Sequence, residues 1–233
     1  MLTALLPKRS RSNVMQILKE NETRKTIAPR QNKARRKTVV KPPQIEKLQR
    51  AHKTYLRRRK FNPDKLVEEW NLQATCHLSG AWSWRIIIPF YDQDENIIAY
   101  QGRTISKNRK PKYKMTEDDK LPVDPKTILY GIDKVPGDSI IVVEGVPDVW
   151  RLGAGAVATL GIDWKIEQAN QIRKYKRRFI MFDPEPQAQK KAHALAKWLS
   201  FYGGETEIID DLKCDPGSLS PKYAQGIRRE LQI

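Results

Sequence analysis

Apolar residues recur along this chain in two rhythms, and the change of rhythm divides it. From Ser139 onward there are short runs with little polar interruption: Ser139 to Val143 (S-I-I-V-V), Ala156 to Leu160 and Phe179 to Phe182 (F-I-M-F), with a fourth candidate strand at Glu205 to Ile209. Between them lie segments with apolar residues every three or four positions. These are Pro147 to Leu152, Trp164 to Tyr175 with Ile166, Ala169 and Ile172, and Ala188 to Phe201 with Ala192, Leu195, Ala196 and Leu199 on an inner face. Apolar strands alternating with amphipathic helices predict an α/β fold: a mostly parallel sheet flanked by helices on both sides.

The rhythm before Ser139 is different. Trp84 to Phe90 (W-R-I-I-I-P-F) and Asn96 to Tyr100 (N-I-I-A-Y) flank the polar turn Asp92 to Glu95, which predicts a hairpin. Lys107 to Lys120 is a charged loop, and Leu129-Tyr130-Gly131 closes the section. Ile45 to Trp70 has a helical pattern, with Leu48, Tyr55 and Leu56 on one side. A second helix starts at Asn62-Pro63, because Asn caps well and Pro suits the first helical position. Residues 1 to 44 hold little that can be buried: Val14, Ile17 and Leu18 make at most one amphipathic turn, and Pro42-Pro43 ends the stretch. The expected organisation is a flexible basic arm over 1–53, a smaller α+β subdomain over 54–136 and the parallel-sheet domain over 137–233.

Charge sharpens that division. The net charge is +17, and residues 1 to 60 carry nineteen Lys or Arg against three Asp or Glu, a balance of +16. A basic arm on a nearly neutral body points to a polyanionic partner, since each phosphate neutralised releases counterions. Two cysteines, Cys76 and Cys214, lack C-x-x-C spacing, and the histidines are His52, His77 and His193. That set fits a reducing, cytoplasmic setting with neither a disulfide framework nor zinc. No apolar run approaches a membrane span of ~20 residues, so a membrane partner is not expected.

The acids carry the chemistry. Ligands of parallel sheets bind beyond the carboxyl ends of the strands. Ser139 to Val143 runs into Glu144-Gly145-Val146-Pro147-Asp148, and Phe179 to Phe182 runs into Asp183-Pro184-Glu185. The fourth run ends at Asp210 and Asp211, with Asp215 close behind. If the first and third runs are neighbours, their ends lie ~5 Å apart, and Glu144 and Asp183 share one divalent ion. Hard oxygen ligands suit Mg²⁺ or Mn²⁺ at phosphates.

The E-G-x-x-D block after one strand, with an acidic motif some thirty-five residues later after another, resembles the TOPRIM domain of primases, topoisomerases and certain nucleases. The upstream blocks narrow the resemblance. Arg85-Ile-Ile-Ile-Pro89, Ile98-Ala-Tyr-Gln-Gly-Arg103, Pro111-Lys112-Tyr113 and Leu129-Tyr130-Gly131 follow the order of similar blocks in the catalytic core of bacterial (DnaG-type) primases. Tyr55-Leu56-Arg57-Arg58-Arg59 resembles the start of that core, and the likeness spans roughly residues 54 to 220.

The resemblance implies metal-dependent synthesis of RNA primers from ribonucleoside triphosphates on single-stranded DNA. Glu144, Asp183 and Glu185 would be catalytic, and Glu144, Asp148, Asp183, Glu185 and Asp215 would hold metal. Arg57, Arg58, Arg59, Arg85, Arg103, Lys112 and Tyr113 would face template or nucleotide. The chain departs from the pattern at Asp183-Pro184-Glu185, where the family has D-G-D, and at Asp215-Pro216-Gly217, where D-P-D is frequent. It carries no match to the family's zinc ribbon or helicase-binding domain, which leaves room for a separate zinc-ribbon or helicase protein. Two other readings stand beside this one: a TOPRIM nuclease, and a non-catalytic single-stranded-DNA-binding replication accessory.

Overall fold

The computed structural model describes residues 39–116 and 121–233. The Val14, Ile17 and Leu18 turn lies outside them, as does the end of the charged loop. Residues 37–233 form one compact unit.

The first layer is an antiparallel sheet in sequential order: β1 (Ile45–Glu46), β2 (Gln73–Thr75), β3 (Arg85–Tyr91), β4 (Ile97–Thr104) and β5 (Tyr113–Met115). The expected hairpin is β3–β4, paired from Arg85↔Thr104 to Phe90↔Ala99. Its turn is held by Asp92, whose Oδ1 accepts from the amides of Asp94 and Asn96 at 3.0 and 2.9 Å. That local bonding is why Asp favours such turns. The charged loop contains a strand the pattern did not reveal, β5, which pairs Tyr113 with Arg103.

Two helices precede β2. α1 (Arg50–Arg58) buries His52 and Leu56. α2 (Pro63–Trp70) begins as expected: the Asn62 side chain accepts from the amides of Asp64 and Lys65, and Pro63 stands in the first turn. The expected arm boundary at residue 53 falls inside α1, and β1 already pairs with β2 through Ile45↔Thr75. The packed body therefore starts before residue 53, because Leu48 and His52 have apolar surface to cover.

The second layer is the parallel sheet β6 (Ser139–Val143), β7 (Ala156–Ala158), β8 (Arg177–Ile180) and β9 (Glu205–Ile208), in order β7-β6-β8-β9. Its crossovers contain α3 (Val146–Leu152), α4 (Ile166–Ile172) and α5 (Pro186–Leu199). Alternation along β6 shows both faces covered. Ile141 and Val143 join the core shared with the antiparallel sheet, whereas Ile140 and Val142 pack with Ala169, Ile172 and Leu195. The first core holds Leu56, Ile86, Ile88 and Phe90 as well, so the two layers share one interior. Tyr130 fastens them. Its ring lies 5.3 Å from Trp70 and 4.9 Å from Phe90, and its hydroxyl accepts from Trp150 Nε1 at 2.9 Å. A last helix, α6 (Pro221–Leu231), packs on α3 and had no counterpart in the sequence pattern. No helix among the described residues is long and apolar enough to cross a membrane.

His52 gives this packing a pH signature. It is fully buried against the Trp84 ring, 5.9 Å between centroids, and neither ring nitrogen has a partner. Burial pushes its pKa down to about 4. The unfolded chain therefore takes up a proton that the fold refuses, and stability falls as pH drops from about 6.5 towards 4. His52→Phe keeps the ring and removes the titration. Urea midpoints should rise by about 1 kcal/mol equivalent at pH 7, because no buried nitrogen is left unpaired, and by more at pH 5. An equal gain at both pH values contradicts this account.

Candidate metal and nucleotide cleft

Parallel pairing of β6 with β8 brings the two acidic strand ends together. Val142 pairs with Ile180, and the Asp183 amide donates to Glu144 Oε1 at 2.7 Å. Glu144 and Asp183 thus stand side by side at the carboxyl edge, as the neighbour-strand reading required. The Oδ1 atom of Asp183 is buried without a hydrogen-bond partner.

Asp148 lines the cleft with the other acids and makes contacts that the sequence did not suggest. It sits in the first turn of α3, nearly buried, and its two oxygens accept from the backbone amides of Gly145 at 2.7 Å and Gly217 at 2.9 Å. Read from sequence as a metal ligand, it also ties together two loops: the one bearing Glu144 and the turn after Asp215. It positions those acids. Gly145 is glycine for a related reason. Its φ of −126° is ordinary, but a Cβ there would lie 3.1 Å from Asp148 Oδ2.

Asp215 leads into a 3₁₀ turn and accepts from Ser218 Oγ at 2.7 Å. Glu185 is exposed at the start of α5, with no side-chain cap bond. Asp210 and Asp211 are exposed and do not line the cleft.

The facing wall comes from the antiparallel sheet. Arg103 on β4 is buried; its Nε donates to Tyr55 Oη at 2.6 Å and another guanidinium nitrogen donates to Tyr113 Oη. The guanidinium also lies 4.8 Å from the Tyr113 ring centroid. Lys112, Tyr113 and Arg59 line the same opening, a cleft of about 580 Å³ bounded across from them by Glu144, Asp148, Asp183, Glu185 and Asp215. Arg57 and Arg58 are exposed on the last turn of α1 and lie outside the cleft lining. Arg85 is a correction. It is 1% exposed, and its guanidinium donates to the carbonyls of Ala81, Gly102 and Pro111. Those bonds tie β3 to β4 and the loop before β5, and burial at 1% exposure closes Arg85 to nucleic acid.

Sequence reasoning missed Gln101, which lines the cleft two residues before Arg103. The period of two along a strand places both on one face, and that signal was available. It also missed Arg151, whose guanidinium donates to the carbonyls of Arg59, Lys60 and Gly217 and so braces both walls. That contact spans sixty-six or more residues and leaves no local trace.

The acids are under electrostatic tension. Burial, then the nearby Asp183 and Glu185 charges, raise the Glu144 pKa to about 7 against the single amide that favours its anion. Burial, with Asp183 and Asp215, does the same to Asp148 despite its two amides. Asp183 is raised by burial, then by Asp215 and Glu185. Among the described residues no three such side chains form a ready-made ligand set. The donor chemistry nonetheless fits Mg²⁺, which keeps several waters and binds through one or two carboxylates. The orphaned Asp183 oxygen fits as well.

Comparisons with known proteins now bear on this arrangement. Residues 42–136 match the family model for the N-terminal domain of the DNA primase catalytic core. Over 118 residues the chain is 31% identical to a DNA primase of Legionella pneumophila, an alignment covering 46% of this chain and 20% of that protein. The chain resembles the catalytic core of bacterial DnaG-type DNA primases.

Solved structures support this primase-like core at the level of fold. The zinc-binding and RNA polymerase domains of the Aquifex aeolicus primase match at TM-score 0.68 with 21% identity, over 78% of this chain and 55% of that one. A DnaG primase catalytic domain bound to single-stranded DNA matches at 0.62 with 19% identity, over 79% and 72%. The primase fragment of the bacteriophage T7 primase-helicase protein matches at 0.57 with 17% identity, over 84% and 81%. The curated relative is matched over only about a fifth of its length.

Tension among the cleft acids sets the pH dependence of this primase-like core. In the metal-free fold Glu144 and Asp148 retain protons that the unfolded chain releases, so their contribution to stability declines as pH rises from about 4.5 through about 7. A divalent ion relieves the repulsion that replaces those protons. The melting-temperature gain from Mg²⁺ should therefore be larger at pH 8 than at pH 5.5, approaching about 2.7 kcal/mol at a hundredfold excess over Kd. A gain independent of pH overturns this.

Proposed function

We propose that this chain synthesises short RNA primers on single-stranded DNA, as a metal-dependent nucleotidyltransferase. The observation that carries the reading is the cleft itself. Glu144 and Asp183, bridged by the Asp183 amide, face Arg103, Lys112 and Tyr113 across a space of about 580 Å³. Acids on one wall and cations on the other suit a metal-bound triphosphate, whose charge both walls then balance. The match to the primase core model and the likeness to primase structures support the same conclusion.

Glu144, Asp183 and Asp215, with Glu185 at the rim, would hold Mg²⁺ or Mn²⁺. The ion would neutralise the phosphates and lower the pKa of the attacking 3′-hydroxyl. The chain's own residues supply the rest. Asp148 fixes the loops that carry Glu144 and Asp215 through its two amide bonds. The Arg103 guanidinium, fixed between Tyr55 and Tyr113, presents charge to phosphate with little reorganisation. Glu144, whose pKa is raised to about 7 in the metal-free fold, would give up its proton as the ion binds. The basic residues of the arm would hold the template strand, and a separate zinc-ribbon or helicase protein would help select it. The domain assignment is part of this reading: arm, α+β subdomain and TOPRIM domain, acting in the cytoplasm.

A second reading is a non-catalytic single-strand binder, favoured by the exposure of Glu185 and by its longer reach compared with Asp. Primer synthesis from labelled ribonucleotides on single-stranded DNA with Mg²⁺ separates the two. Wild type should make short RNA. Glu144→Gln and Asp183→Asn should lower the rate by roughly a hundredfold or more while leaving DNA binding unchanged. Glu185→Asp should keep or raise activity, and Glu185→Ala should lower it. Wild type that binds DNA but joins no nucleotides on any template favours the second reading.

The arm makes its own prediction. Deleting residues 1–44 should flatten the slope of log affinity for single-stranded DNA against log salt, in proportion to the number of phosphates that the arm neutralises. An unchanged slope places the electrostatic contact elsewhere.

A further inference from the structure

The polar side chains lining the cleft are carboxylates and cations, with two exceptions. Tyr113 is one, and its hydroxyl is already occupied by Arg103. Gln101 is the other. It is 8% exposed, and its Oε1 is buried without a hydrogen-bond partner. A buried carbonyl oxygen without a donor is unfavourable, and such an atom in a native fold calls for a reason. Its backbone is held from both sides, paired with Ile88 on β3 and Met115 on β5. The side chain is therefore planted on a central strand, on the face it shares with Arg103.

A carboxamide has no net charge, so it adds little to the holding of phosphate or cation. What it offers is direction: an acceptor that demands one donor at one place. We infer that Gln101 is a specificity-determining residue, whose Oε1 accepts a hydrogen bond from a hydroxyl or amino group on the sugar or base of a nucleoside triphosphate in the cleft. This rests on the cleft being a nucleotide site. The charged walls recognise what all triphosphates share, and Gln101 reads what distinguishes them. Sites that hydrogen-bond a substrate hydroxyl or amine discriminate strongly against analogues without it, because the protein atom is then left unpaired.

Calorimetric titration of the full chain with Mg²⁺ and no template tests this. The ligands are ATP, its 2′-deoxy and 3′-deoxy forms, purine riboside triphosphate, which lacks the amino group, and inorganic tripolyphosphate. Wild type should bind at least one of the three analogues about tenfold more weakly than ATP or worse, and the analogue affected identifies the donor. Gln101→Met, which keeps the shape, should bind ATP at that weakened level and lose the discrimination, with tripolyphosphate affinity unchanged. Gln101→Leu should reproduce the result, and the wild-type comparison among ligands depends on no variant. Wild type binding ATP, all three analogues and tripolyphosphate alike overturns the assignment, as does Gln101→Met retaining wild-type discrimination. Wild type binding neither nucleotide nor tripolyphosphate overturns the nucleotide-site reading too, so the two failures are distinct.

Discussion

Parallel pairing of Ser139–Val143 with Arg177–Ile180 is the constraint on which the site depends. Each strand is buried on both faces, so its polar residues are displaced to the ends, and parallel direction puts both carboxyl ends at one edge. Glu144 and Asp183 are adjacent for that reason alone. The Asp183 amide then donates to Glu144. Antiparallel pairing of the same two strands would separate the two acids by the length of the sheet.

Adjacency of acids is costly, and backbone amides of the surrounding loops offset part of it. Asp148 accepts from the amides of Gly145 and Gly217 with its two carboxylate oxygens and so fixes both loops. A Cβ on Gly217 would lie 2.7 Å from Asp148 Oδ1, so the residue that receives this bond has room for no side chain. On the opposite wall Arg103 is held by two tyrosine hydroxyls instead of a carboxylate, which leaves its charge uncancelled and directed at the opening. The two walls therefore keep opposite charges that a metal-bound phosphate can satisfy.

Sequence pattern revealed what is local. Ser139–Val143 emerged at its observed limits because its four consecutive β-branched residues are bounded by Asp138 and Glu144. Asn62-Pro63 emerged because capping is a contact of two or three residues. The parallel direction of the strands followed from the alternation of runs, but which strands are neighbours did not, so the shared edge of Glu144 and Asp183 stood only as a condition until the order β7-β6-β8-β9 was seen. What stayed hidden depends on distant partners. Gln73–Thr75 and Tyr113–Met115 are three residues each and are strands only because neighbours pair with them. The β8 strand begins at Arg177, earlier than its apolar run, because the ladder with Ser139 and Glu205 continues through two arginines. Pro221–Leu231 buries only Ala224 and Leu231, too faint a stripe to recognise. The burial of Arg85 and the two hydrogen bonds accepted by Asp148 each require contacts with other segments, so the supporting role of both residues left no local trace.

If Glu144 and Asp183 act as one site, their effects on metal binding are not independent. A double-mutant cycle on the Mg²⁺-induced gain in melting temperature at pH 8 tests this directly. The account predicts that Glu144→Gln or Asp183→Asn alone removes most of the gain, and that the double substitution removes little more. Two partial losses that simply add would contradict it, and would mean that the two carboxylates do not share an ion.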